Sequence, residues 1–266
     1  MINHSISYFL LMLAYLTISC GEKGLEAVQE GEDIIVDLFQ VSTEHPRYTE
    51  GSVIALPDGA LLYSISEFST GPSDHATAQI IARKSYDGGH TWQAPFELQE
   101  NIGSLNVMSS TLRYLGDVSQ GDSTIGHFFL VKNSLQDLQC FLRISEDGGN
   151  TFGPLIQVTK SPGYNVMNND RVLRLSSGRL IAPIAGTSDV ENINHFVSYC
   201  TYSDDQGLTW KESENRVDYH RRGAMEPDVI EFKDGRLGMM IRTQMGHQAI
   251  SYSEDQGEYW SEAEAW

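Results

Sequence analysis

The side chains in this 266-residue chain whose type could do chemistry are carboxylates, guanidiniums and amides set near strand ends. Glu226 opens the segment Met225-Glu226-Pro227-Asp228, and Arg242 follows sixteen residues later, after the apolar run Met239-Met240-Ile241. The turn residues Asp234-Gly235 lie between them, so a hairpin would return Arg242 to the rim that carries Glu226. Such a pair is either part of a binding site or an exposed ion pair of little worth. Asp74 lies in the loop Gly71-Pro72-Ser73-Asp74-His75. A carboxyl there works as a proton donor near neutrality only if burial or a second carboxylate raises its pKa; otherwise it is a turn residue. His75 reads as a solvated loop histidine. Arg47 precedes the first hairpin. Asn168, Asn169, Asp170 and Arg171 occupy the rim position of Glu226 one repeat earlier, and Asn106, Met108 and Ser109 occupy it two repeats earlier. Polar groups there suit hydroxyl recognition in a sugar site, or serve the turn and strand start.

The formal net charge is −18, which disfavours nucleic acid as a partner. An anionic substrate would then need a local arginine cluster. His127, His195, His220 and His247 are scattered without paired ligand spacing, so no metal is expected. No glycine-rich phosphate loop and no Ser-His-Asp nucleophile motif is present, and no cofactor is expected.

The elements that must position these residues are repeated. One signature occurs four times: Ser85 to Trp92, Ser145 to Phe152, Ser203 to Trp210 and Ser253 to Trp260. The template is Ser-x-Asp-x-Gly-x-Thr-Trp, and the copies start 60, 58 and 50 residues apart. Asp can accept from turn amides, Gly supplies positive φ, and the aromatic covers the turn. These residues read as structural, on the periphery of each unit. Hairpin signals precede them at Pro57-Asp58-Gly59, Ser176-Ser177-Gly178 and Lys233-Asp234-Gly235, with a longer excursion after Gly116 in the second repeat. Each repeat is expected to be four strands, with little helix. A period of this length with strand flanks predicts an all-β propeller, with about four blades between Glu50 and Trp266 and an additional strand over Asp33–Val41.

With its repeated Asp boxes and the residues between them, the chain resembles the sialidase (neuraminidase) superfamily, in particular bacterial BNR-repeat exo-sialidase-like proteins. The resemblance covers roughly residues 45–266 and implies a six-bladed propeller whose later blades are still to come. It implies Asp74 as the acid/base and Glu226 as the base paired to a tyrosine nucleophile. Arg47 and Arg242 would hold the substrate carboxylate, with Asn169 and Arg171 also contacting substrate. A neutral phenol suits this chemistry because a carboxylate nucleophile would be repelled by the sugar's own carboxylate. The third arginine and the nucleophilic tyrosine are expected beyond residue 266, since Tyr164, Tyr199 and Tyr219 do not match the required place. This polypeptide alone is therefore expected to be inactive. The implied function is release of terminal sialic acid from glycoconjugates. Two alternatives stay open, a non-catalytic glycan-binding propeller and a hydrolase of another acidic sugar, since arginines recognise any carboxylate.

Residues 1–20 read as an export signal ending in a lipoprotein-type site, with Cys20 lipidated, and residues 21–32 as a linker to a propeller over 33–266. The protein is expected in the cell envelope or secreted, as a monomer, with acidic glycans as partners. Cys140 and Cys200 precede successive signatures on equivalent strands, too far apart for a disulfide, and are expected to be buried thiols.

Overall fold

Three of the four repeats open on the same turn. Leu56 N–H donates to the Ala60 carbonyl and Gly59 N–H returns to Leu56; Leu175, Gly178 and Arg179 repeat this, as do Phe232, Gly235 and Arg236. The closing glycines have φ of 84°, 95° and 86°, which an L side chain adopts only under strain. In the second repeat Leu115 N–H reaches Thr124 instead, across an excursion that contains a 3-10 turn, Val118–Gln120, N-capped by Asp117. The computed structural model describes residues 34–266. The signal segment, the linker and Cys20 lie outside the described residues.

The hairpins build four blades. Blade one is β1 (Arg47–Ala55), β2 (Leu61–Phe68), β3 (Ala78–Ser85) and β4 (Phe96–Gln99). Blade two is β5 (Asn106–Tyr114), β6 (Ile125–Ser134), β7 (Asp137–Ser145) and β8 (Ile156–Gln157). Blade three has a divided inner strand, β9 (Tyr164–Val166) and β10 (Leu173–Arg174), both paired to β11 (Leu180–Thr187), followed by β12 (Val197–Ser203) and β13 (Lys211–Glu212). Blade four is β14 (Met225–Glu231), β15 (Leu237–Arg242), β16 (Ala249–Ser253) and β17 (Glu264–Ala265). Pairing within blades is antiparallel; β9 also touches β7 in parallel at Tyr164 and Leu138, which joins blades two and three.

Two expectations need correction. Residues 34–41 form no strand; Phe39 instead stacks on Tyr48 at 5.1 Å and lies under the Arg83 guanidinium. Asn168–Arg171 do not lead into the first strand of blade three but sit in the break between β9 and β10, where Asp170 takes φ 58°.

The Asp boxes are built as their composition requires. In all four, the buried Ser hydroxyl donates to the Asp carboxylate at 2.8–2.9 Å and accepts the Gly N–H at 2.8–2.9 Å. The hydroxyl and amide of Thr91 hold the Asp87 carboxyl down to about 2. The boxes do more than cover their own turns. A methyl on Gly207 would meet Leu142 of blade two at 2.6 Å, and one on Gly257 would meet Ile181 of blade three at 3.0 Å. Asn150 accepts from Lys84 of blade one, and Glu258 pairs with Arg179 of blade three at 2.9 Å. From the second onward, each box is thus braced on the preceding blade. Trp210 meets Phe128 of blade two edge-on at 5.8 Å, and Trp260 is fully buried between blades three and four. Cys140 and Cys200 are buried free thiols.

Candidate functional site

The inner strands of blades one, two and four share a defect that aims side chains off the regular pleat. β1 slips register between Thr49 and Ser52, β5 between Met108 and Thr111, and β14 between Met225 and Asp228. In each case two residues oppose one, and the first of them is a non-glycine at positive φ: Glu50 at 58°, Ser109 at 60° and Glu226 at 44°. A bulge of this kind re-aims a side chain, and such backbone conformations concentrate at functional sites.

All three bulged residues line one cavity of about 250 Å³. Asp74, His75, Lys132, Tyr164 and Arg222 complete its polar wall, while Met108, Leu130, Leu138, Val166 and Phe196 supply apolar surface. The mixture of apolar wall and convergent polar groups suits a small polar ligand.

Two acid–arginine pairs stand at this cavity. Arg47 Nη1 lies 2.5 Å from Asp74 Oδ1, donates to the Pro72 carbonyl at 3.1 Å and packs over the Phe68 ring. Arg242 donates to Glu226 from the end of β15, as the hairpin requires. Asp74 and Glu226 line the cavity; Arg47 and Arg242 do not. Arg171 and Asn169 turn elsewhere. Arg171 donates to Asp228 on β14, and Asn169 donates to the Gly51 carbonyl at 2.7 Å. Neither lines the cavity, although their neighbour Asn168 does. The break in the inner strand of blade three redirects both, where an unbroken strand would have kept Asn169 in step with Glu226.

The electrostatics of Asp74 depart from expectation. Burial raises its pKa, but Arg47, then Lys132 and His75, outweigh burial and hold the carboxyl below the ordinary range. Glu50 behaves in the opposite way. Burial pushes its carboxyl up against the hydrogen bond from Ser109 Oγ at 2.6 Å and the charges of Arg47 and Lys132. Lys132 is 1% exposed, and burial brings its amine down to about 8. Tyr164 reaches the cavity, yet burial and then the charges of Asp74 and Glu50 push its hydroxyl up, away from the phenolate. His75 is a cavity residue too, with its imidazole lowered first by burial and then by Lys132.

Glu50, Lys132, Tyr164 and Arg222 were not among the candidate site residues. For Glu50 a signal existed. Glu50, Ser109, Asn169 and Glu226 each precede the residue that opens the hairpin turn (Leu56, Leu115, Leu175, Phe232) by six positions. Lys132 carries no such mark, since a lysine near the end of a long strand ordinarily reads as solvated.

A BNR repeat-like domain model matches residues 118–266. A sialidase of Clostridium perfringens is 26% identical over 261 residues, spanning 90% of this chain and 67% of that protein. Among solved structures, a Dyadobacter fermentans protein of unknown function superposes with a TM-score of 0.70 at 18% identity, over 85% of this chain and 70% of its own. The sialidase of Trypanosoma rangeli, in complex with the inhibitor DANA, superposes with a TM-score of 0.65 at 18% identity, over 82% of this chain and 38% of its own. The repeat match spans more than half of the residues and the blades superpose on sialidase propellers, so this chain belongs to the BNR repeat-like family and has the sialidase-type propeller fold.

Proposed function

We propose that the protein is an exo-α-sialidase-like glycoside hydrolase that removes terminal sialic acid from glycoconjugates with retention. The observation that carries this reading is that Asp74 and Glu226 line one cavity, each paired to an arginine. Arg47 and Arg242 are assigned to the sugar carboxylate. Glu226 takes the proton of a tyrosine as its phenolate oxygen attacks the anomeric carbon, and Asp74 gives its proton to the departing glycosidic oxygen. Water then attacks the anomeric carbon while Asp74 accepts its proton; the bond to the tyrosine oxygen breaks, and Glu226 returns its proton to that oxygen, which restores both groups. The tyrosine is assigned to no described residue, because Tyr164 is disfavoured as a phenolate. Cys20, as a lipid-bearing residue, would place this activity at the cell envelope.

The substrate itself could set the Asp74 proton. A carboxylate arriving on Arg47 would compete with Asp74 for the guanidinium. Released from that bond, the Asp74 carboxyl would rise toward the range a proton donor needs.

A second reading is favoured by one observation. Without ligand, Arg47 holds Asp74 as a carboxylate, which suits binding better than proton donation. In that reading the propeller binds acidic glycans without cleaving them. The experiment, on a protein that also carries the expected tyrosine and third arginine, is release of a fluorogenic α-sialoside between about pH 4 and 8, where a carboxyl donor operates, alongside calorimetric binding of sialic acid and of a glucuronide. Release that Asp74→Asn abolishes supports the hydrolase. Binding without release supports the glycan-binding reading, and neither would end both.

A further inference from the structure

The main-chain carbonyl of Asp74 accepts hydrogen bonds from two side chains of the next blade. Lys132 Nζ donates to it at 2.6 Å and Asn106 Nδ2 at 2.9 Å; the same amide group also donates to the Ala76 carbonyl at 2.8 Å. Asn106 and Lys132 are register partners on β5 and β6, so one rung of blade two presents both groups. The loop they reach also has bonds on its own blade. Thr77 N–H donates to Thr70 Oγ1, Ser69 N–H to the Thr77 carbonyl, Ala76 N–H to the Ser73 carbonyl and His75 N–H to Ser73 Oγ, and Arg47 holds Pro72 and the Asp74 carboxylate. None of these reaches the Asp74 carbonyl. Ser73, Asp74 and His75 are exposed.

Lys132 is unusual for a residue in this place. It is almost wholly buried and forms no ion pair with a carboxylate among the described residues. Its remaining contacts are Met108 Sδ at 3.6 Å and the Tyr164 ring at 5.4 Å. An ammonium without a paired carboxylate is costly to bury, and packing alone would be served as well by methionine. What the amine adds is a charge-assisted hydrogen bond to one carbonyl, roughly twice as strong as a neutral bond. Charged and titratable groups face it from several sides: Glu50 and Arg47 on β1, Asp74 and His75 on the loop, and Tyr164 on β9.

We propose that Lys132 and Asn106 form a clasp that fixes the Asp74 loop against blade two and so positions the Asp74 carboxyl at the cavity. Both are positioning residues acting through the Asp74 backbone. The catalytic consequence rests on the acid/base reading of Asp74; the clasp does not. The two groups divide the work: the Asn106 amide bridges the Asp74 and Ala76 carbonyls, and the Lys132 amine adds a second, charged bond to the first.

The test uses the 266-residue chain with Lys132→Met, Lys132→Arg and Asn106→Ala. Hydrogen exchange of the amides of residues 73–77 should speed up about tenfold or more in Lys132→Met and Asn106→Ala, as for a loop released from local protection. Lys132→Arg should stay near wild type, and exchange in the strands of blade four should not change in any variant. The Asp74 carboxyl, followed by carbon NMR, should titrate higher in Lys132→Met than in Lys132→Arg. If the protein cleaves a sialoside, kcat should fall roughly 10- to 100-fold in Lys132→Met, as for a misplaced catalytic group, with KM nearly unchanged and Lys132→Arg rescuing. Wild-type loop exchange and Asp74 titration in both Lys132→Met and Asn106→Ala would overturn the clasp. No turnover by a protein that also carries the expected tyrosine and third arginine, with a loop that still loosens in these variants, would overturn the hydrolase reading and leave the clasp standing.

Discussion

Arg47 and Asp74 neutralise one another across 2.5 Å, so this pair presents neither a free carboxylate receptor nor a protonated donor. Breaking the pair should reveal both. Arg47→Gln is expected to raise the Asp74 pKa, because burial would then be opposed only by Lys132 and His75. Carbon NMR titration of the Asp74 carboxyl measures this directly, and an unchanged or lower midpoint would contradict the account. Sialic acid added to the wild type should shift the same signal in the same direction.

Asp74→Asn is expected to lower turnover by roughly 10²–10⁴, the usual worth of a general acid. The loss should be greatest on a sialoside with an alkyl aglycone and smaller on an aryl sialoside whose leaving group needs little protonation. Equal losses on both substrates would remove Asp74 from the donor role.

Lys132 should cost the fold stability at neutral pH. Its amine is held at about 8 in the folded protein, against about 10.4 when unfolded. Between these values the unfolded chain binds more protons, so this group's contribution rises with pH through the window and its penalty is full below pH 8. Lys132→Met is therefore expected to be more stable at pH 7 by roughly 2–4 kcal/mol, even as the loop loosens. Urea denaturation at pH 7 and pH 10 checks this, since the difference from wild type should shrink at the higher pH.

His127 has the same sign of pH dependence as Lys132, in a more acidic window. Burial, and then Arg143, holds its imidazole down to about 3, with Nε2 at 3.0 Å from Ser110 Oγ. The unfolded chain takes up this proton from about pH 6.5 downward, so stability from this group is lost as pH falls toward 3. His127→Phe should remove a slope approaching 1.4 kcal/mol per pH unit, about the value of one proton, in the midrange of that window. An acid-unfolding curve parallel to wild type would refute it.

Trp260→Ala should destabilise the protein by roughly 3–5 kcal/mol, the range for a buried aromatic. The indole is fully buried, and its N–H donates to Ser213 of blade three at 3.2 Å. Trp92→Ala, at a half-exposed indole, should cost clearly less in the same thermal melt.

The blades were legible because their determinants are local. A Gly at the turn, a Ser and an Asp within five residues, and an aromatic behind them specify each box without reference to distant residues. The Glu226–Arg242 pair was legible for the same reason, as one hairpin dictates it. Arg47 and Asp74 come from two sides of a single blade, and their contact depends on how the loop after β2 folds back, which no spacing encodes. The diversion of Arg171 and Asn169 depends on the break between β9 and β10; the run Asn168-Asn169-Asp170 disfavours a strand there, but does not say which way the side chains turn. Lys132 was hidden by its type, because its burial comes from a loop of the neighbouring blade. Glu50 was readable only by counting six positions back from each turn, and the four residues found that way share no side-chain chemistry.

The brace between each Asp box and the blade before it gives the array a direction. Gly207 leans on Leu142 and Gly257 on Ile181, so a lesion in one box should loosen the sheet upstream of it as well as its own. Unfolding would then travel toward lower residue numbers, one wedge at a time.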